Sequence, residues 1–486
     1  MDVRHPQPTF LAGGAHKPVG KITEVGLVLY DTRTRRVRPF EPITPGHVGI
    51  YLCGPTVQSS PHVGHLRGAV VVDVLRRWFI ETGFEVTLVR NVTDIDDKIL
   101  ANAVAAGESP FALAERFTRE FNRAYDAVGV LPPTIEPRAT GHVPEMIELM
   151  QSLIERGHAY EAEGSVWFSV ASFPGYGGLS GQKPDAVQAS AENEGGKRDP
   201  RDFALWKAAK PGEPTWPTPW GPGRPGWHLE CSSMAAKYLG PQFDIHGGGL
   251  DLVFPHHENE RAQTDCGMDF ERDAEMARFW MHHGLLNVSG GEKMSKSLGN
   301  TFLVDDVLRE TRPQALRYYL LAAHYRSAIL YGPDQLAEAS AAYEGIEGFV
   351  LRGSALPADG KADDDDPLWK AFADAMDDDL ATPRALAVVH EAVKAGNSTS
   401  DPIREYQLVR RMLATLGLDP LSQWPSADGG NLQPVVDHLV AGALERRAQA
   451  RREKDWATSD QIRDELAAAG IAVEDTPQGQ RWELAR

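Results

Sequence analysis

The chain has 486 residues, of which 42% are hydrophobic, and a formal net charge of −18. That length suits roughly two to four domains with room for sizeable cores. The acidic balance argues against non-specific wrapping of nucleic acid, which is driven by phosphate neutralisation, but leaves room for a local basic groove.

Met1 to Gly20 holds Pro, Gly, His and scattered charges but no apolar h-region. It reads as a disordered leader (1–20), not a signal peptide. Residues 25–30 and 48–52 read as strands, and the second runs into Cys53-Gly54-Pro55-Thr56. In open α/β sheets, ligands bind at such carboxyl ends of strands. Pro61-His62-Val63-Gly64-His65 follows, then a mostly apolar helix over 66–81 and a strand over 85–90. Strand, loop, helix, strand is the βαβ pattern of a parallel sheet. Helices are predicted over 111–128 and 143–157, with Pro132-Pro133 breaking between them. From about Gly164 to Pro225 the sequence is irregular and rich in Gly, Pro and Trp. It reads as an insertion with a small sheet and a mobile loop.

The sheet resumes after Trp227, with strands at 243–246 and 279–283 and a helix over 256–266. Beyond Thr301 the character is helical. Residues 355–367, with the acidic run Asp363 to Asp366, read as a linker, as does the stretch from Ser422 to Gly430. Residues 368–415 predict a helical bundle broken at Gly396-Asn397-Ser398, and 434–486 a small separate α/β module. No internal repeat is present. No run reaches the ~20 apolar residues of a bilayer span, so no membrane partner is expected. Three cysteines, Cys53, Cys231 and Cys266, are too few for a disulfide scaffold and point to a reducing, cytoplasmic compartment.

One window concentrates reactive side chains: Gly226-Trp227-His228-Leu229-Glu230-Cys231, then Gly247-Gly248-Gly249, then Pro255-His256-His257-Glu258-Asn259-Glu260. On a helix, His256 and Glu260 share one face. Cys231 and the distant Cys53 would complete a Cys, Cys, His, Glu set that suits zinc. A buried helix with satisfied histidines and two inert cysteines is the alternative. His62-Val63-Gly64-His65 lies at a helix N-terminus, which favours anions through its free N–H groups. Lys293-Met294-Ser295-Lys296-Ser297, hinged by Gly290-Gly291 and Gly299, could close over a triphosphate.

H-x-G-H early in a βαβ unit, paired with K-M-S-K-S after the sheet resumes, resembles the class I aminoacyl-tRNA synthetases. Tyr51 to Val57, Asn91 to Lys98, Gly223 to Cys231 and Phe243 to Glu260 look like cysteinyl-tRNA synthetase, and the likeness runs from about Lys21 to the C-terminus. The fold implied is α/β: a Rossmann-like catalytic domain split by an insertion, then a helical bundle and a small C-terminal α/β module. The division expected is catalytic halves at 21–140 and 227–300 around a connective insertion at 141–226. A helical stem-contact region at 301–354, the linker at 355–367, a tRNA-binding bundle at 368–425 and an anticodon module at 434–486 complete it.

The resemblance implies one Zn2+ per chain, held by Cys53, Cys231, His256 and Glu260, with Mg2+ accompanying ATP. It places Thr56, Thr93 and Trp227, with Cys53 and His256, around substrate cysteine. Gly64, Gly249, Asp251 and Lys296 fall to ATP, and the phosphates to His62, His65, Lys293 and Lys296. Arg451, Asp460 and Asp475 are the anticodon candidates, in a module whose Arg446, Arg447, Arg451, Arg452 and Lys454 make a basic cluster. The implied activity joins L-cysteine to tRNA(Cys) in two steps: attack of the cysteine carboxylate on the α-phosphorus of ATP, then attack of the terminal ribose hydroxyl on cysteinyl-adenylate. No protein general base is evident, and substrate phosphate could serve.

Sulfur against oxygen is a small difference for a plain pocket, whereas zinc prefers a thiolate. Catalytic zinc usually keeps an open position, so with four protein ligands Glu260 is the one expected to loosen. Cys266 reads as a structural thiol, while His257, His282 and His283 stay unassigned. Two rivals remain: the mycothiol-pathway ligase joining cysteine to an amino sugar, which needs no terminal module, and a catalytically dead RNA-binding paralogue. ATP, L-cysteine and tRNA(Cys) are the expected partners, DNA is not, and a monomer is expected because no apolar strip points to a dimer.

Overall fold

The computed structural model describes residues 26–182, 196–270, 274–288, 302–356, 363–424, 433–476 and 479–484. The leader, the tip of the insertion and the K-M-S-K-S segment with Lys293 and Lys296 lie outside the described residues. The chain divides into two compact units on either side of Trp424 and Pro425.

In the first unit β1 (Val28–Asp31) and β2 (Arg36–Pro39) form an antiparallel pair. Next, β3 (His47–Leu52), α1 (Val63–Glu81) and β4 (Glu85–Arg90) make a βαβ unit, with Ile50 of β3 beside Leu88 of β4 in parallel register. Five of the six β3 residues are buried, as expected for a strand covered on both faces. The helix begins three residues earlier than the apolar run suggests, so Val63 to His65 form its first turn. Helices α2 (Asp97–Ala106), α3 (Pro110–Ala127) and α4 (Val143–Glu155) follow. Sequence reading omits α2. Its start is capped by Asp96, which accepts from the Lys98 N–H at 2.8 Å, and it ends at left-handed Gly107.

The insertion carries an antiparallel four-stranded sheet of β5 (Ala159–Ala162), β6 (Ser165–Phe168), β7 (Phe203–Ala208) and β8 (Gly223–Pro225). Then α5 (Trp227–Leu239), β9 (Phe243–Gly249), α6 (Glu258–Gly267) and β10 (Ala277–His283) return the chain to the parallel sheet, whose order is β10-β9-β3-β4. The helix expected over 256–266 is regular only from Glu258. His256 stands on a wider turn, Val253–His257, in which Phe254 is extended. All four parallel strands end at one edge, beside the turns that follow β3 and β9.

Past the sheet, β11 (Leu286–Val288), α7 (Val304–Glu310), α8 (Pro313–Leu321) and β12 (Ile329–Tyr331) lead to helices α9 (Pro333–Arg352), α10 (Pro367–Asp377), α11 (Thr382–Asn397) and α12 (Ile403–Leu416). The parallel pair β11–β12 is absent from the sequence reading, being only three residues per strand. One apolar core runs from Val48 and Val70 through Leu316 to Val389 and Met412, so sheet, α1 and helical bundle pack as one body. Within it Asp73 of α1 meets Arg317 of α8 at 2.5 Å, and both are buried. Arg317 also donates to the Leu416 and Val128 carbonyls at 2.9 and 3.1 Å.

The second unit pairs α13 (Gln433–Arg452) with α14 (Trp456–Ala468) and ends in the antiparallel hairpin β13 (Ile471–Thr476) and β14 (Gly479–Leu484). Val440, Ala443, Ile462, Leu466 and Ile471 form its own small core.

Candidate active site

A cavity of about 770 Å³ opens at the carboxyl edge of the parallel sheet. Cys53, Cys231 and His256 line it and meet the fully buried Glu260, so that donors from four segments converge. Cys53 ends β3, where its N–H donates to the Gly247 carbonyl of β9 at 3.0 Å. Cys231 lies on the second turn of α5, His256 on the wide turn before α6, and Glu260 in the first turn of α6. Cys53 Sγ lies 3.7 Å from Cys231 Sγ, 3.6 Å from His256 Nε2 and 3.5 Å from Glu260 Oε1. His256 Nε2 and Glu260 Oε1 are 2.9 Å apart. One ligand atom from each of the four residues falls within 4.8 Å of all the others. Two soft sulfurs, an imidazole and a carboxylate at such spacing can hold a borderline-soft divalent ion.

Charges inside this cluster pair off. Burial disfavours ionisation of Glu260, but His256 and His246 outweigh it and hold the carboxyl well below its usual range. Burial likewise opposes protonation of His256, and Glu260 overcomes it, lifting the imidazole to about 10. Burial pushes the Cys53 thiol up, reinforced by Cys231.

A layer of histidines lies behind the four donors, and sequence reasoning leaves its members His228 and His246 unassigned. His246 Nε2 is 2.9 Å from Glu260 Oε2, with its ring stacked 4.7 Å from Trp280. His228 Nδ1 is 2.8 Å from His256 Nδ1. The previously unassigned His257 and His282 join this layer: His257 Nδ1 is 2.7 Å from His282 Nε2, and His282 Nδ1 is 2.8 Å from Thr32 Oγ1. Burial pulls His282 down to about 3 and His257 well below its usual value, so both stay neutral. His246, His257, Cys53 and Glu260 make a second grouping within the same reach. The only signal available in the sequence was the number of imidazoles in one window.

The walls come from neighbouring loops. Thr93 N–H donates to the Pro55 carbonyl at 3.3 Å, and the Val57 N–H to the Thr93 carbonyl at 3.2 Å, so Thr56 and Thr93 stand side by side. Gly54 permits this. A Cβ there would lie 1.7 Å from the Asn91 carbonyl oxygen. Trp227 opens α5 and lies flat on His256, with centroids 4.1 Å apart and planes 16° apart. Thr56, Thr93, Trp227, Cys231 and His256 all face the cavity.

His62 and His65 flank Gly64 at the start of α1. Their rings stack at 3.7 Å, and the His62 N–H donates to His65 Nδ1 at 3.1 Å. Both face the same cavity as Gly249, at the end of β9, and Asp251, in the turn after it. Cys266 sits on α6, outside the donor cluster, and burial pushes its thiol up to about 12. In the second unit Arg451 lies in the last turn of α13, and Asp460 on α14 pairs with Arg463 at 3.2 Å. Asp475 falls on β13, and its side chain lies outside the described set.

Residues 39–341 match the tRNA synthetases class I (C) catalytic domain, residues 371–418 the DALR domain, and residues 439–482 the cysteinyl-tRNA ligase anticodon binding domain. A cysteine--tRNA ligase of Frankia casuarinae is 52% identical over 95% of this chain and 100% of its own length. One from Streptomyces avermitilis is 55% identical over 94% of this chain and 98% of its own. In fold, the chain is similar to methionyl-tRNA synthetase of Mycobacterium tuberculosis bound by methionyl-adenylate (TM-score 0.54, 14% identity, 77% of this chain and 92% of that one). It is also similar to the Agrobacterium radiobacter K84 agnB2 LeuRS in its ternary complex (TM-score 0.55, 11% identity, 80% and 88%). Among the described residues no helix is long and apolar enough to cross a membrane. With a Rossmann-like parallel sheet, a cavity at its carboxyl edge and relatives matched nearly end to end, the chain belongs to the cysteine--tRNA ligases, a family of class I synthetases, and is a ligase.

Proposed function

We propose that the chain activates L-cysteine with ATP and transfers it to the 3′ end of tRNA(Cys), with Cys53, Cys231, His256 and Glu260 holding one Zn2+ that selects the substrate. The observation that carries the metal reading is the convergence of those four donor atoms within 4.8 Å beside the cavity. The donor set fits: two sulfurs and an imidazole are typical of zinc, and an ion held there would require the proton shared by the His256–Glu260 pair, and those on the thiols, to leave. When bound, zinc supplies a soft Lewis acid that a substrate thiolate satisfies and a serine hydroxyl does not.

The chain's own residues do the rest. His246 holds Glu260 from behind, through Oε2, leaving Oε1 on the donor side. Glu260 would be the ligand to loosen if substrate sulfur added to a bound zinc, since carboxylates shift denticity readily. Trp227, Thr56 and Thr93 line the cavity and are proposed to contact the substrate cysteine. His62 and His65 at the α1 N-terminus, which line the cavity, are proposed to present ring nitrogens to the phosphates of ATP, with Mg2+ as the counter-ion. Lys293 and Lys296 are proposed to reach the same phosphates. Arg451, Asp460 and Asp475 remain proposed anticodon contacts.

The domain division stated from sequence stands as part of this proposal. The amino-sugar ligase reading lacks a use for residues 439–482, which match an anticodon-binding family. The test is cysteine-dependent ATP–pyrophosphate exchange alongside charging of total tRNA with labelled cysteine, with the amino sugar as a control acceptor. Charging of tRNA is the expected result. Transfer to the sugar alone would overturn it, and normal exchange by protein shown to be zinc-free would remove the metal.

A further inference from the structure

Gly68 stands inside α1, one turn beyond His65, where glycine is a poorer helix former than alanine. The reason lies on β10. A Cβ added at Gly68 would come within 2.5 Å of His283 Nε2 and 3.0 Å of its Cδ2. The imidazole occupies the space a side chain at 68 would need. Gly249 makes room for the neighbouring carboxylate instead: a Cβ there would lie 2.5 Å from Asp251 Oδ1, and only in ordinary contact, 3.7 Å, with His283 Cε1. Gly68, Gly249, Asp251 and His283 all line the cavity.

The ring's tautomer follows from the one hydrogen bond it makes among the described residues. His283 Nδ1 lies 3.2 Å from the Gly284 carbonyl, which can only accept, so Nδ1 carries the proton. Burial, with Arg67 adding to it against the pull of Gly284 and Asp251, brings this imidazole down to about 4, and the ring is neutral at pH 7. Nε2 is therefore a bare acceptor, and it is absent from the enclosed, partnerless atoms of the described residues, so it opens on the cavity.

We propose that His283 Nε2 accepts a hydrogen bond from a ribose hydroxyl of the bound nucleotide, beside the Asp251 carboxylate. This rests on the reading of the cavity as the ATP site. An imidazole acceptor next to a carboxylate complements a vicinal diol, which offers two donors. An adenine edge instead sets its amino donor next to a ring-nitrogen acceptor, which a carboxylate repels. The position agrees: one helical turn, about 5 Å, separates Gly68 from the phosphate end of α1.

The test measures binding of ATP, 2′-deoxyATP and 3′-deoxyATP by calorimetry, and cysteine-dependent exchange with each, for wild type, His283→Ala, His283→Phe and His283→Asn. Loss of one neutral hydrogen bond should weaken ATP binding about 3- to 10-fold in His283→Ala. With the deoxynucleotide that lacks the contacted hydroxyl, wild type and variant should bind alike. His283→Asn restores an acceptor and should recover much of the affinity. His283→Phe keeps the ring against Gly68 without the acceptor, and repeats the test if the alanine variant does not fold. Equal weakening with all three nucleotides, or none with ATP, overturns the contact. A wild type that shows this hydroxyl dependence in binding but no cysteine-dependent exchange would overturn the activation reading and uphold the contact.

Discussion

Trp227 lies flat on His256, 4.1 Å between ring centroids, so one face of the cavity wall and one proposed metal ligand are held by a single stack. Such contacts are worth about 0.5–1.5 kcal/mol. Trp227→Ala should therefore raise KM for cysteine roughly 3- to 10-fold beyond any loss of enclosure, while Trp227→Phe keeps most of the affinity. Zinc per chain, measured by atomic emission, should stay near one in both variants. Loss of the metal from Trp227→Phe would mean that the ring supports the ligand set rather than the substrate.

The three cysteines should separate cleanly. Cys53→Ala and Cys231→Ala each remove a donor from the cluster, and should lose zinc and lower exchange by more than about 100-fold. Cys266→Ala, six residues past Glu260 on α6 and outside the cluster, should keep both and cost only about 1 kcal/mol of stability. Zinc content and exchange on the same preparations decide the matter.

Gly54 is a backbone requirement rather than a flexible joint. In Gly54→Ala the new Cβ meets the Asn91 carbonyl oxygen at 1.7 Å, and a main-chain atom there has no easy way to yield. Overpacking of this sort costs about 1–3 kcal/mol. Because Cys53 and Thr56 flank the position, KM for cysteine should rise and zinc affinity fall together, read by activity and by competition with a chromophoric chelator. A variant with unchanged zinc affinity and unchanged KM would contradict the geometry.

The pair Asp73–Arg317 gives a pH dependence with a defined sign. Burial pushes the Asp73 carboxyl up, but Arg317, Arg77 and the Leu131 N–H together hold it below its ordinary value. Burial pulls Arg317 down despite Asp73, yet a guanidinium keeps its proton throughout the working range. A depressed carboxyl contributes stability that is complete above its unfolded pKa of about 3.9 and is lost as pH falls through the lower folded value. Asp73→Asn leaves Arg317 buried without its counter-charge, which should cost about 3–5 kcal/mol at pH 7. Urea midpoints should show that gap narrowing below about pH 4. A gap constant down to pH 2 would mean that packing, not charge, sets the cost.

Much of the site was legible because its chemistry is local in sequence. Cys231, His256 and Glu260 fall in one window, and H-x-G-H announces its own helix start. What stayed hidden has physical reasons. Helix α5 carries Cys231, but Leu229 to Ala235 are all buried, so no polar face marks a helical period. Strand β6 is buried at all four positions and gives no alternation either. Register, not spacing, brings His246 on β9 behind Glu260, and puts His283 at the end of β10 against Gly68. Sequence distance carries no trace of such cross-element contacts. The helix expected to begin at His256 instead starts at Glu258, because Phe254 is extended and the chain enters α6 by a wider turn.

Cys53 and Cys231 meet across 178 residues of chain, and β3, which delivers Cys53, lies between β9 and β4. A ribosome emitting this protein exposes Cys53 long before its partners exist, and only after residue 260 leaves the exit tunnel and β9 docks on β3 can four donors converge. Capture of the proposed metal would thus wait until about half of the chain is made, and would report the docking of β9 on β3 before β10 completes the central sheet.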